Sequence, residues 1–82
     1  NQKGKRDLYL ALDELELTYL KTEANFICIF IPQSAEAMAQ SLLQKGIIIR
    51  PLTSFGMPTA IRVTIGTESQ NKYFIQQLKE CL

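Results

Sequence analysis

Apolar positions change period along this chain, and each change marks an element. Leu8, Leu12 and Leu15 recur at helical spacing, with Asp7, Asp13 and Glu14 on other faces, which predicts an amphipathic helix from about Lys5 to Leu15. No glycine closes it, and the chain passes through Glu16 and Leu17 into Thr18-Tyr19-Leu20, a short β-prone stretch. Asn25-Phe26-Ile27-Cys28-Ile29-Phe30-Ile31 is nearly all apolar and is stopped by Pro32, which predicts a central strand buried on both faces. Ser34 can cap a helix through Met38, Leu42 and Leu43 to Lys45, because its hydroxyl can accept from an orphan N–H of the first turn. Gly46 supplies the left-handed stop.

Ile47-Ile48-Ile49-Arg50 predicts a further strand ended by Pro51, and Leu52 to Thr59, with Gly56 and Pro58, predicts a loop. Strict alternation returns in Ile61-Arg62-Val63-Thr64-Ile65, which puts the three aliphatic residues on one face of a sheet and Arg62 with Thr64 on the other. Thr67 and Gln70 match a capping box, and the helix behind them is expected to bury Phe74, Ile75 and Leu78. The order α, short β, β, α, β, β, α predicts an α+β two-layer sandwich: a mostly antiparallel sheet of three to four strands, covered by helices on one face. The other face carries Arg50, Arg62 and Thr64, too polar for a core on strands too apolar for full solvation.

Composition narrows the functions this layout can serve. A chain of 82 residues is one domain, residues 1–82, with a modest core, since such a chain removes only about 60% of its unfolded surface from water. Nine Lys plus Arg against eight Asp plus Glu leave a formal charge of +1, which makes no electrostatic case for nucleic acid or an anionic membrane. There is no histidine, which excludes imidazole acid–base chemistry and histidine-activated nucleophiles within this chain. Cys28 and Cys81 show no metal or redox spacing. No apolar run approaches the ~18 residues that span a bilayer, and no signal peptide opens the chain, so a cytoplasmic protein with reduced thiols is expected. The chain opens Asn1-Gln2-Lys3 rather than with methionine, as a piece of a longer protein would.

Arg62 carries the sharpest chemistry, because a rigid strand holding a planar five-donor fork suits bidentate capture of a carboxylate or phosphate. The plainer alternative is a solvated strand arginine, which spacing alone favours. Arg50, at a strand end before Pro51, is by the same standard a flanking charge, and Asn25 a local backbone hydrogen-bonder. Asp7, Asp13, Glu14 and Glu16 read as a solvated helix face; Lys3, Lys5 and Arg6 form a basic cluster without aromatic interleaving. Cys28 reads as buried and inert.

In order, Ala24-Asn25-Phe26, Gly46 to Leu52, Gly56-Met57-Pro58 and Ile61-Arg62-Val63-Thr64-Ile65-Gly66-Thr67 resemble the C-terminal small domain of histidinol-phosphate aminotransferases, among the fold-type I pyridoxal-phosphate enzymes. The resemblance covers nearly the whole chain. It implies that Arg62 meets the anionic end of the substrate, carboxylate or phosphate, that Arg50 is a second phosphate contact, and that Asn25 is a minor substrate contact. It implies pyridoxal 5'-phosphate as cofactor, held by a preceding large domain, since no lysine here lies in a matching motif. It further implies a homodimer as the complete protein, and a fragment that is inactive alone. One departure is Glu16, where many relatives have a glycine ending the first helix. Threonine-phosphate decarboxylases and some aromatic aminotransferases share the pattern, and a free-standing module binding an anionic effector is the alternative from a different class.

Overall fold

A computed structural model describes residues 2–82. The element order is α1 (Gln2–Glu14), β1 (Tyr19–Leu20), β2 (Phe26–Phe30), α2 (Ala35–Leu43), β3 (Arg50–Pro51), a 3-10 turn (Thr53–Phe55), β4 (Ala60–Thr64) and α3 (Glu68–Cys81). The strands form one antiparallel sheet in the order β1-β2-β4-β3. This is the expected α+β class.

The helices cover one face. Leu8 and Leu12 from α1, Ala35, Met38 and Leu42 from α2, and Phe74 and Leu78 from α3 close over Ile27, Ile29, Ile61 and Val63 of the two central strands. That layer excludes water from the alternate residues Ile27, Ile29, Ile61 and Val63; on the opposite face of β4, Ala60 is buried as well. β2 is therefore not buried on both faces, as its apolar run predicts: Ile27 and Ile29 are buried, while Phe26, Cys28 and Phe30 are half-buried on the side the helices leave bare.

Two boundaries also differ from expectation. α1 begins at Gln2 instead of Lys5. The strand expected over 47–50 is reduced to Arg50–Pro51. Ile47 spends its N–H on the Leu42 carbonyl, closing α2, so the chain reaches the sheet late. Pro51 belongs to the strand because β3 lies at the sheet edge. Leu52 donates to the Ala60 carbonyl, and the antiparallel alternation then puts Pro51, opposite Ile61, where a backbone N–H would point away from β4.

The ends of α2 and α3 follow the sequence. Ser34 accepts from the Ala37 N–H, and Thr67 and Gln70 form both halves of the capping box. Asn71, buried inside α3, accepts from the Gly66 N–H through Oδ1 at 2.9 Å and donates through Nδ2 to the Gly66 carbonyl at 3.3 Å, fixing the exit of β4.

Candidate functional site: a paired-arginine row on the open sheet face

The open face is built by register. Leu20 pairs with Cys28, Cys28 with Arg62, and Arg62 with Arg50, so these four residues form one row across all four strands. Their side chains stand on the face away from the helices, because Ile27, Ile29, Ile61 and Val63, at the alternate positions, are buried. Phe26 pairs with Thr64 on the same face. Cys28 and Arg62 form a non-hydrogen-bonded pair, since Ile65 donates to the Asn25 carbonyl and Ile31 to Thr59 on the alternate positions. Side chains approach most closely at such pairs.

Two cations directly opposite each other on neighbouring strands repel, by up to about 1 kcal/mol. No carboxylate among the described residues relieves this repulsion: neither Arg50 nor Arg62 is ion-paired, and the ion pairs lie elsewhere, Lys3 with Asp7 and Glu68, Lys72 with Glu68, and Lys45 with Glu80. Burial pushes the Cys28 thiol up, so Cys28 is neutral at physiological pH and offers Arg62 no counter-charge. The arginines rest instead on aromatic rings. The Arg62 Cζ lies 4.9 Å from the Phe26 ring centroid, and the Arg50 Cζ 5.8 Å from that of Phe55. Arg62 is half-buried and Arg50 exposed. Uncommitted guanidinium donors on a rigid frame can take a carboxylate or phosphate from outside.

Sequence reasoning separates these residues correctly by strand face but cannot bring Arg50 beside Arg62, because pairing register is not written in either strand alone. Asn25 stands apart from the row. It is exposed just before β2, at a position with the alternation of Ile27, and its carbonyl is taken by Ile65. The two aromatic rings beneath the guanidinium groups are not identifiable from spacing. The signal that could find Phe26 is its place two residues from Cys28 on the same face, once Cys28 is known to face Arg62.

This chain belongs to the class I and II aminotransferases; the family model matches residues 2–78. It is 46% identical over 82 residues to the histidinol-phosphate aminotransferase of Moorella thermoacetica, covering 100% of this chain and 21% of that protein. The histidinol-phosphate aminotransferase structure from Clostridium acetobutylicum superposes with a TM-score of 0.88 at 25% identity, covering 98% of this chain and 25% of that one. L-threonine-O-3-phosphate decarboxylase from Porphyromonas gingivalis shares the fold, with a TM-score of 0.88 at 21% identity over 98% of this chain and 26% of its own. The chain spans about a fifth of the length of the curated relatives it matches.

Enzymes of this family work with pyridoxal phosphate. The described residues do not fit that group. A lysine that holds the cofactor must be sheltered and uncommitted, whereas Lys3, Lys45 and Lys72 are held by surface carboxylates and Lys5 donates to the Thr22 carbonyl at 2.6 Å. Lys21 lies over the Tyr9 ring, and Lys79 is exposed on α3. The strand residues of the open face include neither a lysine nor a carboxylate.

Proposed function

We propose that residues 1–82 are the C-terminal small domain of a pyridoxal-phosphate-dependent aminotransferase, and that the complete protein is a histidinol-phosphate aminotransferase. It would transfer the amino group of histidinol phosphate to 2-oxoglutarate, giving imidazole acetol phosphate and glutamate in histidine biosynthesis. The observation that carries this reading is the pair of register-opposed arginines with no anionic partner among the described residues. Both substrates bring the missing anion: a phosphate on the amine donor, a carboxylate on the acceptor.

The cofactor, held by the large domain, supplies the electron sink when bound. Arg62 grips the anionic end of either substrate, Arg50 adds a second contact to the phosphate, and Asn25 stands at the margin. The open face, with half-buried Phe26, Cys28 and Phe30, docks toward the large domain, which excludes water from the gripped anion and strengthens the contact. The complete protein is read as a cytoplasmic homodimer that binds neither nucleic acid nor membrane. Among the described residues no helix is long and apolar enough to cross a membrane.

The first test is a half-reaction: the complete protein loaded with pyridoxal phosphate is mixed with histidinol phosphate, and conversion to the pyridoxamine form is followed by absorbance. Conversion supports both class and donor. A response to threonine phosphate or phenylalanine instead keeps the arginine's role and reassigns the amine, and silence with every amine favours an effector-binding module. Removing a preorganised charge-assisted contact costs roughly 2 to 4 kcal/mol in transition-state binding. Arg62→Ala is accordingly expected to raise KM for both substrates and to lower kcat/KM by about a hundredfold; an unchanged kcat/KM would remove Arg62 from the site.

A further inference from the structure

We propose that Phe26 and Phe55 are positioning residues that hold the Arg62 and Arg50 guanidinium groups in place on the open face without neutralising them, ready for an external anion. The proposal rests on the reading of this pair as the substrate's anion grip, and adds what keeps the grip open before substrate arrives.

Order across the sheet is the first support. Phe26 lies on β2, Arg62 on β4, Arg50 on β3 and Phe55 on the turn that follows β3. Phe26 thus stands on the side of Arg62 away from Arg50, and Phe55 stands at the strand ends, on the turn that joins β3 to β4. Phe26 is diagonal to Arg62, through the neighbouring pairs Phe26–Thr64 and Cys28–Arg62, a relation within reach of an aromatic ring and a long side chain. Each ring face attracts its own guanidinium and so restricts where that cation stands.

The second support is the cost of Phe55. It is 61% exposed and lies outside the buried cluster, on a turn closed by Gly56 at φ 80°. Packing among the described residues does not account for a phenylalanine there, and the contact its ring makes is with Arg50. The third is the absence of competitors. Cys28 is neutral beside Arg62, so the ring fixes the guanidinium without neutralising it. A carboxylate in the same place would hold Arg62 more tightly and use up the charge that the substrate needs.

The test uses the complete protein, with histidinol phosphate as amine donor and inorganic phosphate as competitive inhibitor. Phe26→Leu is expected to raise KM and the phosphate inhibition constant about five- to tenfold, the size of a partly desolvated cation–π contact, with kcat within about twofold of the parent. Phe26→Tyr, which keeps the ring, should lie within about twofold of the parent in all three. On an Arg62→Ala background Phe26→Leu should cost nothing more, because its effect runs through the guanidinium. Full retention of the loss on that background would make Phe26 a residue of the fold alone and overturn the proposal. So would an unchanged KM in Phe26→Leu when Arg62→Ala raises it. If Phe26→Leu fails to fold, exposed Phe55→Leu reads the same arrangement through Arg50: a rise of about threefold in the phosphate inhibition constant supports it, and no change overturns it. If Arg62→Ala itself alters neither KM nor phosphate inhibition, the anion-grip reading falls, and the positioning role falls with it.

Discussion

Glu16 is the one non-glycine residue with positive φ among those described, at 60°. Its N–H donates to the Asp13 carbonyl and that of Leu17 to Leu12, the paired bonds of a Schellman closure on α1. The same two bonds close α2, from Gly46 to Leu43 and from Ile47 to Leu42, with glycine in the left-handed place at φ 81°. Glu16 therefore holds a glycine conformation at a steric cost of about 1 kcal/mol, with an exposed side chain that is not part of the core. Glu16→Gly is expected to raise stability by about that amount, measured as a shift of the urea midpoint at unchanged slope; a lower midpoint would mean that the glutamate makes up its backbone cost through other contacts. The missing glycine makes the end of α1 hard to place from sequence. Arg62 was easier, because alternation alone assigns its face, whereas its stacking on Phe26 depends on two strands separated by all of α2.

Elements were legible where a local device sets their ends and obscure where a distant partner does. The capping box that opens α3 lies within four residues, and both of its halves are formed. Asn71 gives no such signal, since its role is to clasp the backbone of Gly66 in a preceding turn. Gly66 fits there for a second reason: a Cβ would run into the Gln70 side chain that completes the capping box. Asn71→Ala leaves the half-buried N–H and C=O of Gly66 without their side-chain partner and should cost about 1 to 2 kcal/mol in chemical denaturation, whereas Asn71→Asp should recover part, because one oxygen still accepts from Gly66 while the other meets its carbonyl. Equal losses in both variants would show that the clasp does not hold the turn. The short β3 is the counterpart. Ile47-Ile48-Ile49 has a strong β pattern, yet the closure of α2 takes the first N–H and leaves Ile48 83% exposed.

At the scale of the molecule, the one-sided helix layer was legible from alternation in β4, and the near-continuous apolar run of β2 obscured it by resembling a strand covered twice. Half-buried Phe26, Cys28 and Phe30 give that run its misleading character, and they belong to the face read here as docking toward the large domain. With every lysine committed or exposed, the isolated 82-residue chain is expected to show no tight uptake of pyridoxal phosphate in equilibrium dialysis and no turnover of histidinol phosphate. Stoichiometric uptake would place a cofactor site inside this segment.

Both outer strands of the sheet are two residues long, and one contains Pro51. So short a margin offers an incoming peptide almost no ladder of free amides and carbonyls to extend, a means by which sheets resist lateral growth into fibrils. A companion surface that meets the sheet therefore does so broadside, onto the very plane where the two cations stand, and finds little to extend as a fifth strand.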